Sequence, residues 1–198
     1  MIKKLIFCVL VVMSLSACSS NEQSNQPQPT KSPEEIAKAV SGLVEERDEV
    51  QDVSFYYAQT TEQNKGKSDF YVYFSNDNGK VSNLEFVVQY IGAHQIDTNW
   101  IEIRADDQLF SINNINDYVR GSMSLYAVQE VYSSTVYPDD LKMIRAMANA
   151  EKTIIRLTGT GLYSTDIKLS KQQKQAMLNV IRAYKNAGGD RYFLGDEL

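Results

Sequence analysis

Imidazole and thiol are nearly missing from this chain. Its 198 residues include one histidine, His94, and two cysteines, Cys8 and Cys18, both within the first eighteen positions. One His without a distal Cys leaves too few nitrogen and sulfur ligands for a zinc site, and a Ser or Cys nucleophile lacks its usual base. No Gly-x-Ser-x-Gly elbow is present either. Positive charge is also in short supply, with 20 Lys and Arg against 25 Asp and Glu and a net charge of −5, which is a poor match for nucleic acid. There is no collagen-like or low-complexity bias across the chain as a whole. What is present is 43% apolar residues, enough for the core of one domain of ordinary size.

The amino terminus has its own pattern. Lys3 and Lys4 precede the apolar run Leu5 to Met13, and the chain then reads Leu15-Ser16-Ala17-Cys18. A basic start, an apolar stretch too short for a stable membrane span and small residues before a cut read as a secretory signal. The alternative is a plain signal peptide or a single membrane helix with Cys18 incidental. The four residues ending at Cys18 resemble the lipobox of bacterial lipoproteins. That resemblance covers residues 1–18 alone. It implies a diacylglycerol on the Cys18 thiol, cleavage between Ala17 and Cys18, and in many bacteria a third acyl chain on the new amino terminus. Two or three chains anchor stably where one is marginal. The implied location is extracytoplasmic: with Ser19 after the Cys, the outer membrane in a diderm, and the outer face of the plasma membrane in a monoderm.

Loss of residues 1–17 removes two lysines and no acids, leaving eighteen basic and twenty-five acidic residues, a net charge of −7. One thiol remains, so the expected fold rests on packing without an internal disulfide. Residues 18–32 are expected to be the lipidated Cys and a disordered tether. Ser19 to Ser32 reads SSNEQSNQPQPTKS and contains no apolar residue. Its fourteen residues span roughly 20 Å as a flexible coil and about 50 Å fully extended.

Residues 33–198 read as a single α+β domain. Ser32-Pro33-Glu34-Glu35 is a capping box with Pro at the first helical position, and Ile36, Val40, Leu43 and Val44 carry a helical stripe to about Glu49. Strand patterns follow at Val53 to Thr60, Asp69 to Ser75, Val81 to Ile91, Asn99 to Arg104, Gln108 to Ile112 and Gly121 to Ser134. Asn76-Asp77-Asn78-Gly79 marks a hairpin turn. Its first calcium-ligand position would be Phe74, so an EF-hand loop is excluded. Pro138 to Asn149 is helical, Lys152 to Thr158 and Tyr163 to Leu169 are strands, and Gly159-Thr160-Gly161 is a turn between them. A second capping box at Ser170 to Gln173 opens a helix to about Asn186, closed by Gly188. The expected fold is an antiparallel sheet of six to eight strands with about three helices on one face.

No metal, cofactor or catalytic constellation emerges, and His94 reads as an exposed loop residue. Carboxylate pairs for hydrolysis leave no local spacing, so a carboxylate-only envelope hydrolase stays open. Aromatic residues give the one informative pattern. Ile101 and Ile103 share one face of their strand, while Trp100, Glu102 and Arg104 share the other; Tyr71 and Tyr73 likewise lie opposite an apolar face. A Trp with Tyr71, Tyr73 and Arg104 on an open sheet face is suited to stacking on a sugar or gripping a peptide. A covered face is the alternative. Tyr192, Phe193 and Leu194 form an apolar triplet near the end of the chain, expected to dock back onto the domain. The leading expectation is a non-enzymatic, lipid-anchored protein that binds an envelope component or another protein. A glycan- or peptide-binding module comes second.

Replacing Cys18 by Ala is expected to shift the protein out of the membrane fraction. Globomycin is expected to change the mobility of the unaltered protein. Retention of Cys18→Ala in membranes, with mobility insensitive to globomycin, overturns the anchor.

Overall fold

The computed structural model describes residues 31–82, 84–112, 118–124, 127–160 and 163–189. Residues 1–30, on which the expected leader, Cys18 and most of the expected tether fall, and residues 190–198 lie outside the described residues. In chain order the elements are α1 (Pro33–Val40), β1 (Val44–Asp48), β2 (Val53–Tyr57), α2 (Gln59–Gln63), β3 (Asp69–Asp77), β4 (Lys80–Val81), β5 (Glu85–Gly92), β6 (Thr98–Ala105), β7 (Gln108–Ile112), β8 (Tyr118–Ser124), β9 (Ala127–Thr135), α3 (Pro138–Asn149), β10 (Thr153–Gly159), β11 (Ser164–Lys168) and α4 (Lys171–Ala187). None of the described helices is long and apolar enough to cross a membrane.

The α+β class with antiparallel pairing is as expected, but the strands divide between two sheets. One has seven strands in the order β1-β2-β3-β5-β9-β8, with β4 paired to β3, and the other has four in the order β11-β10-β6-β7. Alternation within each strand decides which side is buried. Phe70, Val72 and Phe74 of β3 are buried, as are Ile101 and Ile103 of β6 and Ile155 and Leu157 of β10. Side chains from both sheets join those of α1, α3 and α4 in one apolar cluster. Tyr184 of α4 meets Phe74 edge-on with ring centroids 5.4 Å apart, so α4 packs on the buried face of the larger sheet.

Local chemistry explains where the elements stop. The Ser32 capping box forms, with Ser32 N–H donating to Glu35 Oε2 at 2.9 Å and Glu35 N–H to Ser32 Oγ at 3.3 Å. The helix then ends at Val40, well before Glu49. Ser41 and Gly42 are poor helix formers, and Val44–Asp48 pairs in register with Val53–Tyr57 instead. The hairpin between them is fixed by Asp48, whose Oδ1 accepts from the Val50 and Gln51 N–H groups. Strand β2 stops at Tyr57, where its partner β1 runs out at Val44, and α2 begins where a continued strand to Thr60 was expected.

Asn78 and Gly79 take φ of 48° and 92°, joining Asp77 to Lys80 across the expected two-residue turn. The single expected strand at Val81 to Ile91 is two. Asn76 faces Val81 in the pairing of β3 with β4, and Tyr73 faces Glu85 in its pairing with β5. The stretch Gly121 to Ser134 is likewise a hairpin, with Val119 opposite Val131 and Ser124 opposite Ala127. No Gly, Pro or Asn marks its turn, which is why it reads as one strand. Helix α3 begins at Pro138 and ends at Asn149 as expected, and Gly188 closes α4 in the left-handed region.

Between β5 and β6 the chain passes from one sheet to the other, and Glu130 of β9 holds that crossing. Its side chain is 1% exposed. Oε1 accepts from the N–H groups of Ile96 at 2.7 Å and Asp97 at 2.9 Å, and Oε2 from the Thr98 N–H at 3.3 Å and hydroxyl at 2.8 Å. Gly159, at the end of β10, lies against the same crossing: a Cβ there would sit 1.7 Å from the Ile96 carbonyl oxygen.

Glu130→Ala leaves buried N–H donors unmatched and is expected to lower unfolding free energy by about 3 kcal/mol in urea titration. Gly159→Ala is expected to cost a similar amount, on the order of 3 kcal/mol, by forcing the crossing away from β10. Losses under about 1 kcal/mol for both variants would remove the junction from this role.

Candidate functional site

The four-stranded sheet turns its second face outward. Cross-strand register places Trp100 beside Thr158, Glu102 beside Arg156, and Arg104 beside Ile154. On the flanks, Arg156 faces Asp166 and Ile154 faces Lys168, while Arg104 faces Leu109 and Glu102 faces Ser111. Trp100 is 42% exposed and Leu109 55%. Four strands at the usual spacing make a platform about 14 Å wide. Trp100 and Arg104, four residues apart on one strand face, are separated by roughly 13 Å along it.

The two arginines of this face differ in what they touch. Arg156 grips Asp166 with both ends of the carboxylate, Nε to Oδ1 at 2.7 Å and Nη2 to Oδ2 at 2.9 Å. That contact pushes the Arg156 guanidinium up and holds the Asp166 carboxyl below its ordinary range. No hydrogen bond or ion pair with a described residue engages Arg104, and its neighbours across the strands are Ile154 and Leu109. Together Glu102, Arg104, Leu109, Ile154 and Arg156 line an open trough of about 190 Å³. A free guanidinium between two aliphatic side chains suits an anionic group carried on an apolar body.

The four candidate residues do not form one site. Trp100 and Arg104 sit on β6 of the smaller sheet, whereas Tyr71 and Tyr73 sit on β3 of the larger one. Each pair does lie opposite a buried face, but pairing between strands, which the sequence does not display, assigns them to different sheets. Tyr73 is committed: its hydroxyl donates to Glu85 at 2.8 Å, and burial with that carboxylate pushes it well above the usual phenol range. Tyr71, raised chiefly by burial, lines a second cleft of about 190 Å³ with Tyr57, Glu46, Asn64, Lys65 and Gln89.

In that second cleft the polar groups largely satisfy one another. The Tyr57 hydroxyl lies 2.9 Å from Glu46 Oε2 and 2.8 Å from Glu62 Oε2. Burial first, then these two carboxylates, push it up to about 12. Lys65 Nζ is 2.8 Å from Glu62 and 5.6 Å from the centre of the Tyr57 ring. Asp69, 2% exposed, is raised by burial. It accepts from Phe70 N–H at 2.7 Å, Gln173 Nε2 at 2.5 Å and Asn64 Nδ2 at 3.0 Å. Those bonds tie the start of α4 to β3 and use both oxygens.

His94 is exposed and stacks on Tyr163 with ring centres 4.7 Å apart. Among the described residues no group of three His, Cys, Asp or Glu side chains is placed to hold a metal ion. Leu109, Ile154 and Arg156 were missed as site residues on sequence. The outward orientation of Ile154 and Arg156 was legible from alternation, but their place beside Trp100 and Arg104 depends on a register between strands some fifty positions apart. Comparison with known proteins finds no matching family model, no matching curated protein and no matching solved structure.

Tyr56, Tyr57, Tyr71, Tyr73 and Tyr90 are all raised with burial as the first cause. Since an unfolded tyrosine ionises near 10, at about pH 10 and above the unfolded chain loses protons that the folded chain retains. Stability is therefore expected to hold below about pH 10 and to fall as pH rises toward 12. Chemical denaturation at stepped pH measures this, and a flat profile to pH 12 contradicts it.

Proposed function

We propose that this chain is a lipid-anchored envelope protein, tethered through Cys18, whose domain is non-enzymatic and binds a protein or another envelope component through the outer face of the β11-β10-β6-β7 sheet. The observation that carries the reading is the exposure of Trp100, Leu109 and Arg104 on one sheet face, where Leu109 stands across from an Arg104 that no described residue engages. Aromatic and arginine side chains are the usual anchors of protein interfaces, and an aliphatic neighbour supplies area to bury. The proposed tether lets such a face turn toward a partner while the anchor stays in the membrane.

A second reading is favoured by Trp100 and Arg104 together: a soluble glycan or peptide stacked on the indole and held by the guanidinium.

The test is photo-crosslinking in cells with the full chain, placing a photoreactive residue at Leu109 or, as a control, at exposed Glu49 in the β1–β2 turn. An adduct from Leu109, absent at Glu49 and lost with Arg104→Ala, is expected. No adduct from Leu109, or equal adducts from both sites, overturns the partner-binding face. Emission of Trp100, the one tryptophan, tests the second reading. An unchanged spectrum across sugar and peptide panels removes it.

A further inference from the structure

The two sheet orders end in four edge strands: β1 and β8 bound the larger sheet, β11 and β7 the smaller. An edge offers its spare backbone N–H and C=O groups to any extended chain, and charge or a bulge on the strand is the common bar to that. Three of the edges carry such a bar. Glu45, Glu46, Arg47 and Asp48 fill β1 after Val44. Strand β11 holds Asp166 and Lys168, and β8 holds Arg120 and shifts register between Ser122 and Ser124. Strand β7 reads Gln-Leu-Phe-Ser-Ile, with no charge, no Pro, no Gly and an unbroken register along β6.

Apolar side chains reach water on both faces of β7. Leu109 is exposed on the outer face, while Phe110, opposite Ile103 on the inner face, packs on the core and stays half-buried. Among the described residues, no strand and no backbone hydrogen bond meets the side of β7 away from β6. A partner lying on one face of the sheet covers only one of these two side chains. A strand laid along the edge covers both, because its own side chains alternate between the faces.

Charge decides which strand fits. Arg104 stands across from Leu109 and Glu102 across from Ser111, and neither Arg104 nor Glu102 makes a hydrogen bond or ion pair with a described residue. Place a second copy antiparallel, with the two Phe110 residues opposite each other on a two-fold axis. Leu109 then faces the second copy's Ser111, and the row across the strands runs Arg104, Leu109, Ser111, Glu102, the last two from the second copy. Its ends are about 14 Å apart at Cα. Leaning toward each other over the short Ser111, the guanidinium and carboxylate come within about 5 Å, inside the screening length of about 8 Å. The two-fold axis makes this match twice. It also sends the two Asp106-Asp107 turns to opposite ends of the pair. An axis at Leu109 would instead set Arg104 in line with Arg104.

We infer that β7 is a self-association edge, through which two copies of this chain join their smaller sheets into one of eight strands. The inference rests on the reading of Leu109 and Arg104 as partner contacts, and it names the partner as a second copy. Two five-residue strands bury less than the about 800 Å² per partner of a standard interface, so the dimer is weak and concentration-dependent. The proposed anchor would hold copies in one plane and raise their local concentration.

Sedimentation equilibrium of the full chain in detergent tests the pairing. A monomer–dimer equilibrium is expected, and Ser111→Lys, which sets a lysine on the edge, should abolish it. Arg104→Glu and Glu102→Arg should each weaken the dimer about fivefold or more, and the two changes combined should bring it back to within about twofold of the parent. Monomer at every concentration up to about 1 mM, a dimer untouched by Ser111→Lys, or a charge exchange that restores nothing each overturns the proposal. Photo-crosslinking at Leu109 separates this pairing from the reading beneath it. An adduct of twice the chain mass supports self-association. An adduct only with a different molecule overturns it and leaves the partner-binding face standing, and no adduct overturns both.

Discussion

A buried carboxylate holds the two sheets together. Glu130 projects from β9, one strand in from the β8 edge of the larger sheet, and accepts hydrogen bonds from successive backbone N–H groups of residues 96–98, at the point where the chain leaves that sheet to begin β6. Apolar packing alone is non-directional and tolerates many relative placements of two greasy faces. Hydrogen bonds to a buried charge do not, because any shift leaves either the carboxylate or the amides unmatched in a medium that cannot replace them. The contact of Gly159 with Ile96 adds a steric limit at the same place, so β10 and β6 are held to one arrangement from both sides. With its Ile101, Ile103, Ile155 and Leu157 face turned into the shared core, the smaller sheet has its other face left for solvent. The candidate site follows from the junction.

The same economy of buried polar groups positions α4. Asp69 receives Gln173 at the first turn of that helix. Lys174, one residue on and 6% exposed, donates to the Ala150 and Glu151 carbonyls beyond the end of α3 at 2.6 and 2.8 Å. One helix start is thereby fixed to the larger sheet and to the end of another helix. Asp106 makes the matching link on the smaller sheet, accepting from the Glu151 and Lys152 N–H groups, which hold its carboxyl below the ordinary range. The link after α3 is thus held by a lysine from one side and an aspartate from the other. None of these polar positions stands out in a hydrophobicity pattern, because that pattern is set by their apolar neighbours.

Where a feature is written in consecutive residues, it was legible: the capping boxes at Ser32 and Ser170, the Asn78-Gly79 turn, Pro138 opening α3, and the alternation that puts Trp100 and Arg104 opposite Ile101 and Ile103. Features resting on partnership between distant segments were not. Val44 to Asp48 continues a helical stripe on its own and becomes a strand only because Val53 to Tyr57 lies across the hairpin. The turn between β8 and β9 carries no turn residue, so only pairing reveals it. The division into two sheets hid the fact that Tyr71 and Tyr73 stand apart from Trp100, and the same missing register hid Arg156 and Leu109 as its neighbours.

Charge on the outer sheet face runs against that of the chain. The whole sequence is net −5, yet the register gathers Arg104, Arg156 and Lys168 with only Glu102 and Asp166 on that face. Asp166 is spent on Arg156, and the exposed pair contributes little to stability because water screens it. With Arg156 so engaged, Arg104 and Lys168 are the cations of this face that no ion pair with a described residue engages. A guanidinium with Ile154 and Leu109 across the strands on its two flanks is less solvated there than one surrounded by polar neighbours, which would lower the cost of meeting an anion. An acidic domain thus presents one cationic, partly apolar face, and the surrounding negative charge disfavours the same anion elsewhere on the surface. If the proposed partner binds this face, its orientation would come from the contrast between the patch and its surroundings, more than from the strength of any one contact.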